Sequence, residues 1–212
     1  MPLVDQFAVD PHAMLWRGPI ALEDEINQRR VTPRGGDLWI DLDTAVFQHA
    51  HRYFTVRETP PGQGHLCFYL PWENHKYAEI TIDPSRDLFF TAELSGCTMA
   101  FQRDAGFHPS VLHIGANVRN KDAAIAEWCE FLDPARPAAV RYYRYDSDDD
   151  ETATCLGKRK GNGWTFYVQR RQIGYKPVIV RRPPGGGPVR REYGVEHLEI
   201  PGMVKDVLTY VC

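Results

Sequence analysis

The chain has 212 residues, 43% of them hydrophobic, with 25 Lys and Arg against 28 Asp and Glu for a formal net charge of −3. That length supports one domain with a sizeable core, and the near-balance of charge excludes a global field that would recruit nucleic acid or an anionic membrane surface. No run approaches the roughly 18 apolar residues of a membrane-spanning helix, and the opening Met1-Pro-Leu-Val-Asp-Gln6 lacks the basic start and apolar core of a signal peptide. The expectation is a soluble, monomeric single domain over 1–212, with no membrane and no direct nucleic-acid partner.

Residues 1–19 contain Pro2, Pro11, Gly18 and Pro19 among scattered apolar positions, which predicts an irregular N-terminal arm laid on the core. Residues 20–30 read as a short polar helix, broken by Pro33-Arg-Gly-Gly36. Asp37-Leu-Trp-Ile-Asp-Leu-Asp43 alternates with period two, as a half-buried strand does. Strands are then expected over 51–58, 65–70, 77–83, 88–94, 98–102 and 111–114, the first two separated by the Pro60-Pro-Gly-Gln-Gly64 turn.

The clearest helix spans 121–132. Asn120 suits its N-cap, Asp122 suits its first turn, and Ile125, Trp128, Cys129 and Leu132 share one face. Asp133-Pro134 stops it. Strands follow over 140–145, 154–156, 164–170 and 178–181, with Gly161-Asn-Gly163 as a hairpin turn. A Pro/Gly loop, Pro183-Pro-Gly-Gly-Gly-Pro188, precedes a last stretch over 196–211. Many strands with few helices imply an α+β fold: a β-sandwich of mixed sheets flanked by helices and long loops.

Five cysteines, Cys67, Cys97, Cys129, Cys155 and Cys212, are widely spaced and form no CxxC pair, so free thiols are expected rather than disulfides or a zinc site. Cys97 differs from the rest in its surroundings. It follows the small-residue turn Ser95-Gly96 at the end of a strand candidate, where freed backbone amides and the absence of a Cβ suit a nucleophile that must stabilise an oxyanion. An unperturbed thiol has a pKa near ~8.5 and is only a few per cent thiolate at pH 7, so it needs a base. His113, on a neighbouring strand candidate, is placed to take its proton, and the Thr91 hydroxyl is placed to orient the ring. Taken alone, these residues are also compatible with a small buried hydrophobe beside a packing histidine.

Other groupings carry less. His49-Ala-His51 and His65-Leu-Cys67 lack a third ligand at metal spacing, so no metal or cofactor is expected. Asp146-Ser-Asp-Asp-Asp-Glu151 lacks the spacing of a calcium loop and reads as a solvated acidic turn. Lys158-Arg-Lys160, Arg170-Arg171, Arg181-Arg182 and Arg190-Arg191 read as exposed charge beside turns, and Tyr142, Tyr143, Trp164 and Phe166 as core.

Thr91 with Leu94-Ser-Gly-Cys97 and His113 resembles the signature of the cysteine glutamine deamidases of the Burkholderia lethal factor and cytotoxic necrotizing factor catalytic-domain type. The resemblance extends to Leu70-Pro-Trp72, Phe89-Phe-Thr91 and His113-Ile114 and covers about residues 65–118; the stretch 98–112 is a few residues longer here. The resemblance implies a toxin-like enzyme that converts a specific glutamine of a target protein to glutamate through a thioester. Cys97 would be the nucleophile, His113 the base, Thr91 the residue holding the imidazole, and Ser95 and Gly96 the oxyanion turn. It further implies a secreted or injected effector acting on a protein partner in a target-cell cytoplasm. The same residues serve transglutamination, and a non-catalytic protein-interaction module on the same fold is the alternative.

Overall fold

The computed structural model describes residues 3–17, 20–22, 36–47, 51–72, 76–103, 108–132, 143–146, 151–161, 163–172, 174–180, 192–200 and 204–211. Their elements are helices α1 (Leu3–Val9), α2 (Pro11–Arg17) and α3 (Lys121–Leu132), and strands β1 (Ile20–Leu22), β2 (Gly36–Phe47), β3 (His51–Glu58), β4 (His65–Leu70), β5 (Tyr77–Thr81), β6 (Leu88–Thr91), β7 (Thr98–Arg103), β8 (Pro109–Ile114), β9 (Tyr143–Asp146), β10 (Glu151–Lys160), β11 (Gly163–Gln172), β12 (Gly174–Val180), β13 (Glu192–Ile200) and β14 (Val204–Val211). The result is an α+β fold with mixed sheets flanked by helices.

Eight strands form one sheet in the order β1-β3-β2-β4-β6-β10-β11-β14; four form a second, β5-β8-β7-β9; β12 and β13 pair with each other. Within the large sheet β1 runs parallel to β3 and β4 parallel to β6, whereas β10, β11 and β14 are antiparallel. All pairs of the small sheet are antiparallel.

Strand alternation divides the apolar residues into three layers. Leu88 and Phe90 of β6, with Ala92 just beyond it, face Phe7, Met14 and Leu15 of the N-terminal helices, while Phe89 faces the opposite way. That opposite layer lies between the sheets, where Phe101 of β7 meets Phe166 of β11 at a ring separation of 4.8 Å and Phe89 meets Phe166 edge-on at 5.6 Å. Ala100, Leu112 and Ile114 look outward from the small sheet onto Ile125, Trp128 and Cys129 of α3. The order through the molecule is therefore helices α1 and α2, large sheet, small sheet, helix α3.

The N-terminal segment is helical where an irregular arm was expected. Pro11 occupies the first position of α2, where a missing amide hydrogen costs nothing and the fixed φ suits the helix. Asp10 caps that end by accepting from the Ala13 amide at 3.0 Å. Gln169 then secures the segment from β11, donating to the Leu15 carbonyl and accepting from the Ile20 amide, each at 2.7 Å. Asp10→Ala should lower stability by about 1 kcal/mol, measured as a lower urea midpoint with unchanged slope.

A second correction concerns residues 20–22, expected in a polar helix and found as β1 alongside β3; the rest of that stretch lies outside the described residues. Strands β3 and β4 and helix α3 begin and end where periodicity and capping place them, and the Asn120 side chain accepts from the Ala123 amide at 3.0 Å. Trp164 and Phe166 are core, as expected; the side chains of Tyr142 and Tyr143, the His49 half of the His-Ala-His motif, the Pro183–Pro188 loop and the Arg181-Arg182 and Arg190-Arg191 pairs lie outside the described residues. His65 bonds Asp87 at 2.9 Å and the Cys67 thiol donates to the Leu38 carbonyl at 3.3 Å. Lys158 pairs with Asp87 across neighbouring strands rather than standing free beside a turn. Among the described residues no helix is long and apolar enough to cross a membrane.

Candidate active site

Cys97 immediately precedes β7, and β7 pairs with β8 in a register that sets Met99 opposite His113 and Thr98 opposite Ile114. Cys97, Met99 and Phe101 share the face turned to the inter-sheet layer, as does Val111 of β8. His113, two residues from Val111, points the same way. Cys97 and His113 are thus diagonal neighbours on one face of an antiparallel pair, a relation that spans roughly 7–8 Å between backbones and lies within reach of long side chains. Thr91, two residues beyond Phe89 on β6, faces the same layer from the opposing sheet. The pairing of β4 and β6 sets Leu70 beside Thr91, and the Ala92 amide donates to the Leu70 carbonyl at 3.0 Å. Cys97 and His113 on the small sheet and Thr91 on the large one therefore all face the layer between the sheets.

The turn before Cys97 is held from both sides. Leu94 exchanges backbone hydrogen bonds of 2.8 Å with Ala153 of β10. Gly96 has φ of +64°, a conformation open to glycine at little cost. The Gly96 carbonyl accepts a 2.7 Å hydrogen bond from Lys121 Nζ, at the first residue of α3. Ser95 is exposed, Gly96 is buried, and the Cys97 thiol contacts the Ser95 carbonyl at 3.5 Å.

Both members of the pair are sequestered: Cys97 is 4% exposed and His113 is 1% exposed. Burial pushes the Cys97 thiol above its ordinary pKa, while backbone hydrogen bonding at Ser95 and Ala116 and the positive charge of Lys121 act in the opposite direction. Burial also lowers the His113 pKa to about 4; the Pro71 carbonyl opposes that shift and Lys121 adds to it. Both shifts favour the uncharged forms, the thiol of Cys97 and the neutral imidazole of His113.

Neither His113 ring nitrogen meets hydrogen-bond geometry with a partner, and the Pro71 carbonyl is near enough only to oppose the downward shift of the ring. The sequence had set the Thr91 hydroxyl against this ring; in the structure it donates to the Ala92 carbonyl at 2.7 Å and makes no bond to His113. Cys97 and His113 share a face without a hydrogen bond between them. No group of three or more potential metal ligands occurs among the described residues.

Sequence reasoning missed Lys121 and the network around it. Thr98 bonds Asp146 across β7 and β9; Arg144 reaches Asp146 at 2.8 Å and also contacts Asp122 on α3. Burial opposes ionisation of Asp146, but hydrogen bonds from Thr98 and Arg144 hold its carboxyl below the usual range. Asp146 is therefore a partner within this network rather than part of a freely solvated acidic turn. The signal for Lys121 was present: a lysine at the first residue of a helix meets the positive end of the helix dipole, an unfavourable place without a local acceptor.

No family model matches the chain, and no curated protein matches it. Among solved structures, the C-terminal domain of CNFy from Yersinia pseudotuberculosis is similar at 11% identity and a TM-score of 0.46, with 100% of each chain covered. Likeness at that level assigns neither a fold family nor an activity.

Proposed function

We propose that the protein is a cysteine-dependent protein glutamine deamidase, built on Cys97 and His113. The observation that carries this reading is the placement of thiol and imidazole on one face of the β7–β8 pair, beside the Ser95-Gly96 turn. A neutral imidazole is the form able to accept a proton. The preference for glutamine rests on the resemblance of Thr91, Leu94-Ser-Gly-Cys97 and His113 to the deamidases.

In this mechanism His113 takes the Cys97 proton as sulfur attacks the side-chain amide carbon, forming the C–S bond. The oxyanion is held by the Cys97 backbone N–H and a neighbouring amide of the turn. Collapse breaks the C–N bond, and His113 delivers the proton to departing ammonia. Water, deprotonated by His113, then attacks the thioester; the C–S bond breaks, glutamate is released and the thiol is restored. The Thr91 oxygen, whose proton is held by Ala92, keeps lone pairs with which to accept an imidazole N–H once the ring turns toward it. Burial of Cys97 requires the mouth of the site to open for a glutamine side chain, which suits a protein substrate that supplies binding energy of its own. The partner is a protein carrying a reactive glutamine, and the protein acts as a toxin-like effector inside a target cell.

A second reading has an observation of its own. The burial of both groups and the lack of a bond between them suit an interaction module that keeps the fold without the chemistry. Peptide mass spectrometry of a eukaryotic lysate incubated with the protein separates the two. A gain of about one dalton at a single glutamine, from replacement of NH2 by OH, is the expected result. Incorporation of a labelled primary amine at that glutamine would instead identify a transglutaminase, and an unchanged lysate would favour the interaction module.

A further inference from the structure

The Gly96–Cys97 peptide unit contains both the carbonyl that Lys121 holds and the amide proposed to stabilise the oxyanion. A trans peptide is planar, with its C=O and N–H pointing in opposite directions, so fixing one fixes the other. Lys121 Nζ sits 2.7 Å from the Gly96 oxygen, short enough for a charge-assisted hydrogen bond. Such a bond draws electron density toward the carbonyl and makes the N–H of the same unit a better donor. Gly96 at φ +64° has no side chain to lock the turn, and the Leu94 pairing with Ala153 stops two residues short of it. Lys121 supplies the restraint on the Cys97 side.

The lysine is itself held in a position it would otherwise avoid. It opens α3, whose dipole repels a cation there. The Asn120 cap and the Asp122 contact to Arg144 anchor that end of the helix to β9. The charged and titratable groups around Lys121 are Asp146 on β9 and Arg144 of the same strand, which pairs with it, His113 on β8, Cys97 before β7 and, on its own helix, Asp122, which also pairs with Arg144.

We infer that Lys121 is a positioning residue of this site, which aims and polarises the Cys97 amide through the Gly96 carbonyl and keeps a positive charge beside the sulfur. The inference rests on the deamidase reading for its purpose, but its physical content is measurable without a substrate. Lys121 does not exchange a proton in the reaction. It sets the field in which the thiolate and the oxyanion form, and its charge also favours the neutral ring of His113.

The test is the pH dependence of iodoacetamide alkylation, followed by peptide mapping at Cys97 and at Cys129 in the intact chain. Lys121→Met should shift the Cys97 profile upward by about one pH unit, slowing labelling at pH 7 about tenfold. Cys129, which bonds Gln102 beneath α3, should keep its rate and so serve as the control for loosening of the helix. Lys121→Arg should restore most of the profile. A Lys121→Met profile that superposes on the wild type at Cys97 would overturn the inference, as would equal changes at both cysteines. If Lys121→Met fails to fold, Lys121→Gln, which retains an N–H donor but no charge, gives the same comparison, with an unchanged Cys97 profile again counting against it. Once a substrate is identified, Lys121→Met should lower kcat at little change in KM. The functional reading fails separately: Cys97 labelling no faster than the other buried cysteines in the wild type, alongside a lysate that gains no mass, would remove the deamidase while leaving the Lys121 effect to stand or fall on its own profile.

Discussion

Cys97→Ser should reduce glutamine conversion by at least about a thousandfold while leaving the thermal midpoint within a few degrees of the wild type. A serine hydroxyl is far harder to deprotonate than a thiol, and the neutral His113 beside it is a weak base, so the first bond-forming step loses its nucleophile. The change removes one buried sulfur and inserts an oxygen beside the Ser95 carbonyl, which can accept the new hydroxyl proton. His113→Ala should cost a comparable factor, on the order of a hundred to ten thousandfold, because every proton transfer of the mechanism passes through that ring. The two losses should not multiply: the double variant should be about as slow as the worse single one, since nucleophile and base act as one unit. Rates are read from the appearance of glutamate at the target site. Full activity in Cys97→Ser would move the chemistry elsewhere in the molecule.

The second large effect is a loss of stability in acid that is specific to His113. Its ring is buried with a pKa near 4 against an ordinary value of 6.5. Between those values the unfolded chain binds a proton that the folded chain refuses, so stability rises with pH across that window. Above pH 6.5 the folded state keeps the whole contribution; as the pH falls toward 4 the unfolded state gains roughly 3 kcal/mol relative to it. Urea unfolding at pH 7 and at pH 4.5 should show this as a fall in midpoint. His113→Leu should flatten the pH dependence over that window, because it removes the group that binds a proton in the unfolded chain and not in the folded one. Equal pH slopes in the two proteins would place the acid sensitivity on other groups.

The strands nearest the site were legible because their chemistry is local. β4 and the β7–β8 pair are runs of apolar and β-branched residues closed by turns, and α3 announces itself by Asn120 and by the spacing of Ile125, Trp128 and Cys129. The N-terminal helices were misread because Pro11 was weighed as a breaker, when at the first helical position it is a start signal. β1 has only three residues and exists because β3 offers an open edge, a tertiary fact that no local pattern carries. The positions of Cys97, His113 and Thr91 could be marked in the sequence, and so could the adjacency of two of their strands. Their common face could be inferred only after the sheets were separated, since β6 belongs to one sheet and β7 and β8 to the other. The engagement of Lys121 with Gly96 depends on a distance of a few ångströms between segments, and that of Thr91 with Ala92 on the turn of one hydroxyl, to neither of which residue type gives a guide.

The β7–β8 hairpin bears on how such a site can vary. Cys97 and His113 lie at one end of this ladder, and the Arg103–Pro109 pair lies at the opposite tip, about 20 Å of strand away. Residues added at that tip lengthen the interval between thiol and imidazole in the sequence without moving either group. What relates the two residues in space is cross-strand register, Met99 against His113, and not the number of intervening residues. A pattern that counts residues from cysteine to histidine would therefore pass over chains in which the same two side chains share a face, whereas an insertion of one residue inside either strand would turn one of them to the opposite face of the sheet.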